Sequence, residues 1–532
     1  MNRRDALRYL AFTGASLGSI GSLSSLFNAC AKRQFRAGQL ASDRYGVTIL
    51  VDGFRADLFN EMLDAGALPN IKKHLVDRGT LVETCVSTFP STTGPAHLPF
   101  ITGVMPGYND CPGLRWVDRR HRALRDYCTL HNVLFNADFP ESNYTLYEIL
   151  HGTRTVCIFD FVSRGASEVI NVPAKTLWFM LTGNMDIWRK MDGYAADAFG
   201  KAYGSGAIPR YSFVWMPAID HLAHFHGSRD KVILERAEDV DKHVGSIMKT
   251  LQDRGLYDKT LVSLVVDHGL TDTQRHLEIR DTLEKYGLSV LKNLTDNDQF
   301  NSLYQNNAAR GVSGNSFALL YFAAEKEGRL NTLSYDWARK LGLGELRSFP
   351  VGGSAKIDLI GLLRKEEGID LVMAKEKEDT ILVFSRDGEG RIERDYSSLR
   401  YSFADRDPLG YAQDTESAFL IDGGFHDKDE WFMATRKTSY PDGLFQIAQL
   451  FDSQRCGDIV VTAKPGWDLM NQEHKASHGS LERTQLHVPC VIAGPGVKQG
   501  TIPIARTVDI YPTYLKFLGI PDYDGEASSV FM

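Results

Sequence analysis

LVSLVVDHG, Leu261 to Gly269, decides how the rest of the chain is read. The stretch is apolar except for Ser263 and stops on Asp267 and His268. An apolar run without alternation describes a strand buried on both faces, the usual state inside a parallel sheet. VTILVDG (Val47 to Gly53) and YSFVWMPAID (Tyr211 to Asp220) have the same form and end on Asp52 and Asp220. Helix-like segments lie between and beyond them, at Leu68 to Asp77 and Val232 to Arg254. The second carries Ile233, Ala237, Val240, Val244, Ile247 and Leu251 at helical spacing. This alternation predicts an α/β fold, with a largely parallel central sheet flanked by helices on both faces. Ligands of such sheets bind beyond the carboxyl ends of the strands, where all three aspartates stand. One aspartate after a strand is an ordinary turn or cap residue. Three of them, two with histidine close by in sequence, outline a site.

The 532 residues suffice for one large α/β domain with an insertion. Sixty Lys and Arg against 67 Asp and Glu give a formal net charge of −7, which argues against a nucleic-acid-coating surface. The division expected is 1–30 for an export signal, 45–280 for the first part of the catalytic core, 281–455 for an insertion, and 456–532 for the rest of the core. The insertion reads as a mixed subdomain, or a lid, because charge runs alternate there with short β-like pieces such as DTILVFSRDG. FALLYFA, Phe317 to Ala323, reads as a core strand of the main sheet within this region. Asp509, in RTVDIYPT, is expected to cap the last helix.

MNRRDALRYLAFTGASLGSIGSLSSLFNAC has Arg3 and Arg4 before a weakly apolar stretch rich in Gly, Ser and Ala. It reads as an export signal of the twin-arginine type, too interrupted for a membrane span. Cys30 ends it in LFNAC, which resembles a lipoprotein cleavage box. Lipidation of Cys30 would anchor the mature protein to a membrane. Without it, the expectation is a periplasmic or extracellular protein. Cys85, Cys111, Cys128, Cys157, Cys456 and Cys490 remain for pairing in an oxidising compartment, and their spacing fixes no connectivity.

Asp52, Asp220, His224, Asp267, His268 and His478 are the candidate metal ligands. Asp220 and His224 are four apart in DHLAH, so a helical turn puts both on one face. Carboxylate oxygen with imidazole nitrogen suits zinc, and also manganese or iron. Six groups exceed one tetrahedral ion and match two, zinc being the first expectation. Two ions roughly 3.5–4 Å apart can clamp the attacking and leaving oxygens of an in-line phosphoryl displacement. TFPSTTGPAH, Thr88 to His97, supplies hydroxyls on a Gly/Pro-shaped loop. A hydroxyl is a poor nucleophile until a divalent cation lowers its pKa. The residues alone do not choose among Ser91, Thr92 and Thr93.

The ordered set VDGFRAD, TFPSTTGPAHLPFITGVMPG, DHLAHFHG, VVDHG and SHGSLERTQLHVPCVIAGPGV resembles the alkaline phosphatase superfamily. Within it, the nucleotide pyrophosphatase/phosphodiesterase (type I phosphodiesterase) branch is the most similar. The resemblance covers about 45–275 and 470–520. It implies an alkaline-phosphatase-like fold, a nucleophilic role for Thr93, and a phosphothreonine intermediate. It also implies one metal held by Asp220, His224 and His478, and a second held by Asp52, Asp267 and His268 with Thr93 bridging toward it. A small phosphate ester is the implied substrate, with a phosphodiester or nucleotide pyrophosphate first and a phosphomonoester as the alternative. A phosphotransferase, a sulfatase and a non-catalytic metal-binding protein follow at a distance. Thr is the wrong formylglycine precursor for a sulfatase, and the arginine of that motif is missing.

The chain departs from the branch at one place. The branch often carries an asparagine amide for the phosphoryl oxygens, where this chain has Leu114 in PGLRWVDR. Arg115, beside it, and Arg164, in FVSRGAS, are the candidate replacements as charged donors.

Overall fold

The computed structural model describes residues 43–172, 185–204, 206–292, 294, 303–326, 334–352, 354–470, 472–520 and 530–532. The export signal and Cys30 fall outside the described residues.

The first half of the chain runs β1 (Tyr45–Val51), α1 (Ala56–Asp64), β2 (Gly79–Val86), α2 (Leu98–Thr102), β3 (Thr155–Ile158), β4 (Glu168–Ile170), α3 (Met185–Gly204), β5 (Tyr211–Met216), α4 (Ala218–His226), α5 (Lys231–Asp253) and β6 (Thr260–Val265). The second half continues with β7 (Ala308–Ser313), β8 (Phe317–Phe322), β9 (Ile369–Lys377), β10 (Thr380–Phe384), β11 (Glu389–Asp395), β12 (Ser398–Ala404), β13 (His426–Asp427) and α6 (Gly443–Leu450). It ends with β14 (Ile459–Ala463), β15 (His487–Val488), β16 (Cys490–Ala493), β17 (Gly500–Arg506) and α7 (Ile510–Leu518). Shorter pieces lie between these elements.

The main sheet has the order β15-β2-β16-β6-β1-β5-β3-β4, with β17 also on β2. The run from β6 to β4 is parallel, as are β2 and β17. β15 and β16 run against β2, and β16 runs against β6. β2 therefore points the same way as β6. Both faces are covered. Ser263 pairs with Thr48, and Ser212 pairs with its neighbour Val47, so the two serines face opposite sides. Tyr514 of α7 reaches Ser263 Oγ at 2.9 Å, and Tyr203 of α3 reaches Ser212 Oγ at 3.1 Å. The apolar stripe expected on α5 is the face it buries, from Ile233 to Leu251.

The second sheet has the order β7-β8-β14-β9-β10-β11-β12-β13 and is antiparallel throughout. It takes β14 from beyond residue 455. β8, expected as a strand of the main sheet, is a member of this second one. Phe317, Leu319 and Tyr321 face the main core, while Ala318, Leu320 and Phe322 face a smaller core with Ile279, Leu283 and Leu359. Two-sided burial made the run continuous, without a parallel partner.

Asp509 corrects a second expectation. It stands before α7, but its carboxylate accepts the backbone N–H of Arg506 at 2.8 Å and makes no cap bond to the helix. The described cysteines, Cys85 to Cys490, are free thiols. Among the described residues, no helix is long and apolar enough to cross a membrane.

Candidate active site

β1, β5 and β6 are neighbours in the sheet and end side by side. Asp52 follows β1, Asp220 lies in the first turn of α4 after β5, and Asp267–His268 follow β6. Gly53 has φ +71°, and a Cβ there would lie 2.7 Å from Asp220 Cβ, so glycine lets α4 approach the end of β1. Asp220 N–H closes the contact by donating to the Asp52 carbonyl at 3.2 Å. His478 arrives from the far end of the chain. It follows a short strand, Ala476–Ser477, that pairs with Thr271–His276, and it bridges to Asn315 in the β7–β8 turn.

These groups form one buried cluster. His268 Nε2 lies 3.2 Å from Asp52 Oδ1, 3.3 Å from Asp267 Oδ2 and 3.1 Å from Thr93 Oγ1. Asp52, Asp267 and His268 bring ligand atoms within 4.8 Å of one another, as do Asp220, His268 and His478. The first set is the one the sequence suggested. In the second, His268 stands where His224 was expected. His224 is still adjacent, with Nε2 3.4 Å from Asp220 Oδ2 and its ring 5.4 Å from that of His478.

Three observations fit this cluster to cations. Asp52 Oδ1 and Asp220 Oδ1 are buried without a hydrogen-bond partner. Each histidine directs Nδ1 at a backbone carbonyl: His224 at Ala476 (2.7 Å), His268 at Gly269 (3.1 Å) and His478 at Ser91 (3.0 Å). With Nδ1 turned to its carbonyl, each histidine presents Nε2 as the nitrogen a cation would take. The carboxylates also crowd one another. Burial, then the charges of Asp267 and Asp220, push Asp52 up to about 7. Burial opposes the charge on Asp220 and Asp267, but His224 and His268 respectively hold them below the ordinary carboxylate value. Burial and the neighbouring His268 push His478 down to about 3. Cations between the three carboxylates would relieve this repulsion.

The loop from Thr88 to His97 uses its hydroxyls differently. Ser91 Oγ donates to the Ser480 carbonyl at 2.7 Å and accepts from Gly479 N–H at 3.2 Å, tying the loop to the His478 segment. Thr92 Oγ1 is buried without a partner, and Thr93 Oγ1 faces His268. His97 is fully buried, with Nδ1 3.0 Å from Asp160 Oδ1 and Nε2 3.2 Å from Asp267 Oδ2. Burial alone would lower its pKa. The two carboxylates overcome that and hold it at about 10, so it is an imidazolium that orients Asp267. Trp215 does the same for Asp52, donating Nε1–H to Oδ2 at 2.8 Å.

Arg115 and Arg164 make contacts outside the cluster. Arg115 Nε pairs with Asp126 across a hairpin at 3.1 Å, and Nη1 donates to the Val312 carbonyl at 2.5 Å. Arg164 pairs with Glu148 at 3.1 Å, donates to the carbonyls of Phe139, Pro140 and Asn143, and lies over the Phe139 ring. Leu114 packs beside Gly94 together with Phe135 and Phe161. Sequence reasoning left out Asp160 and Trp215, which sit at strand ends without a local signature. His474 was not among the candidates either, and its ring lies 5.1 Å from that of His224.

A family model described as type I phosphodiesterase/nucleotide pyrophosphatase matches residues 47–321, just over half of the chain. The chain belongs to this family. This type I phosphodiesterase/nucleotide pyrophosphatase family member is therefore a phosphoric ester hydrolase, of the alkaline phosphatase superfamily. No curated protein sequence matches it. Similar solved structures include murine ectonucleotide pyrophosphatase/phosphodiesterase 5, with a TM-score of 0.54 and 13% identity. An inactive threonine-to-alanine variant of the murine protein, in complex with AMP, gives 0.52 and 14%. The human protein gives 0.52 and 13%. In each case the match covers 91% of this chain and 98% of the other, so the folds agree over nearly their full length.

Proposed function

We propose that the protein cleaves phosphodiesters, nucleotide esters and pyrophosphates foremost, in two displacements through Thr93. The observation that carries the reading is the position of Thr93 Oγ1, 3.1 Å from His268 Nε2 at the edge of the carboxylate–imidazole cluster. Thr93 loses its hydroxyl proton to solvent and attacks phosphorus in line. The leaving group, an alkoxide from an ester or a phosphate from a pyrophosphate, departs and takes any proton it needs from water, while the phosphoryl group stays on Thr93. A water then attacks from the vacated side, restores the threonine hydroxyl and frees the product. Two divalent cations, zinc first, would be held by Asp220, His224 and His478 and by Asp52, Asp267 and His268, and would lower the Thr93 pKa and neutralise phosphoryl charge. His97 and Trp215 hold Asp267 and Asp52 in register for that task. The murine neighbour, inactive as a threonine-to-alanine variant and bound to AMP, supports both the threonine and the nucleotide. A monoesterase would draw on Arg115 and Arg164 for the extra charge, and both are committed to protein partners. The first thirty residues direct export, to the periplasm or to a membrane through Cys30.

The test is hydrolysis of bis-p-nitrophenyl phosphate against p-nitrophenyl phosphate by zinc-loaded protein, with Thr93→Ala alongside. The diester should be cleaved faster, and the variant should keep its fold and metal while losing turnover. Normal turnover by Thr93→Ala would sink the nucleophile assignment.

A further inference from the structure

We propose that Gln446 and Gln449, on α6, are positioning residues for the nucleophile loop. Every residue of α6, GLFQIAQL, is buried, and both glutamines are fully so. They are three apart and share a helix face. Gln446 Oε1 accepts the Phe89 N–H at 2.8 Å, while Nε2 donates to the Ser87 carbonyl at 3.2 Å and to Asp442 Oδ2 at 3.0 Å. Gln449 Nε2 donates to the Phe89 carbonyl at 2.7 Å, and Oε1 accepts the Gly107 N–H at 2.8 Å. Both backbone polar groups of Phe89, four residues before Thr93, thus end on α6. Gly107, five residues beyond α2, ends there too. One helix clamps the loop and its following helix on both sides.

The clamp is itself fixed. Asp442 receives Arg506 Nε and Nη2, each at 2.8 Å, so the carboxylate that orients the Gln446 amide is immobilised by a buried ion pair. A buried amide costs desolvation unless its donors and acceptor are used. Two amides in an otherwise apolar helix, both directed at one loop, mark a positioning device. α6 lies outside the family-matched segment 47–321, so the loop that the family model covers is held from outside it. The inference rests on Thr93 as the attacking group, because misplacement of a nucleophile by about 1 Å can cost about 10²-fold in rate.

The experiment uses the full chain, zinc-loaded, with Gln446→Met and Gln449→Met, which keep side-chain length and remove the hydrogen bonds. Steady-state and stopped-flow hydrolysis of bis-p-nitrophenyl phosphate gives kcat, KM and the rate of the first p-nitrophenolate burst. We expect kcat to fall about 10- to 100-fold, with KM within about threefold, metal content unchanged and the burst slowed by the same factor as kcat. Ile447→Ala, on the same helix and fully buried, opens a cavity without touching the loop's hydrogen bonds. It should lower the unfolding midpoint and keep kcat per folded molecule. Unchanged kcat in both methionine variants, beside an inactive Thr93→Ala, overturns the inference and spares the nucleophile reading. A matching kcat loss in Ile447→Ala also overturns it, by reducing the role to core packing. An active Thr93→Ala overturns the nucleophile reading itself. If a methionine variant fails to fold, Gln449→Glu keeps the acceptor for Gly107 and loses the donor to Phe89, and normal kcat there is refutation.

Discussion

Gly314→Ala tests how rigidly the second sheet holds His478. Gly314 lies in the β7–β8 turn with φ +58°, and a Cβ there would stand 2.6 Å from His478 Nδ1 and 2.5 Å from its carbonyl oxygen. Ordinary contact begins at 3.4 Å, so the turn or the histidine must yield by 0.8–0.9 Å. Neither moves alone. His478 N–H donates to the Gly314 carbonyl at 2.8 Å, and Ser316 N–H donates to the His478 carbonyl at 2.9 Å. The left-handed conformation costs alanine roughly 1–2 kcal/mol in addition. Metal–ligand distances tolerate about 0.2 Å. The displacement is several times that, so His478 should lose its hold on the cation. Circular dichroism should remain native, kcat for the diester should fall about 10²-fold, and zinc per chain after dialysis should drop below that of the native protein. Native zinc content with native kcat would refute the claim that the turn fixes His478.

Thr92→Val should keep kcat within about twofold and leave stability unchanged or higher, since the Thr92 hydroxyl is buried without a partner, and thermal unfolding with diester assays checks both. His97→Gln should weaken cation binding about 10- to 100-fold, because Asp267 loses its orienting imidazolium, and competition with a chelator measures it. Asp192 is buried, accepts the Ala218 N–H at 3.1 Å and is pushed up to about 7 by burial. Between about pH 4 and 7 the folded state keeps a proton that the unfolded state has lost, so this stability is present at low pH and fades as pH rises through 7. Asp192→Asn keeps the acceptor and should flatten that slope, gaining of the order of 4 kcal/mol at pH 8 relative to pH 4 in denaturant titrations.

The sequence announced the core of the site because strand ends are local. Each of the runs ending on Asp52, Asp220 and Asp267 carries its apolar residues and its aspartate together, and the sheet sets them side by side. The stripe on α5 was equally legible, since helical spacing needs no distant partner. Phe317–Phe322 was harder, because a run buried on both faces reads alike in a parallel and an antiparallel sheet. Arg115 and Arg164 show the limit for long side chains. Their candidacy came from a missing amide and from a resemblance, neither of which says where a guanidinium reaches, and Arg115 and Arg164 pair with Asp126 and Glu148. Gln446 and Gln449 had no local mark, as their loop partners lie more than 340 residues away in sequence.

The alternating loyalty of the second sheet has a mechanical consequence. Phe317, Leu319, Tyr321, Leu371, Met373 and Val383 belong to the main core, although their strands form the inserted region. Each of the six side chains that a separation of the two sheets fully wetted would cost about 2 kcal/mol. The second sheet thus shares one continuous apolar core with the main sheet.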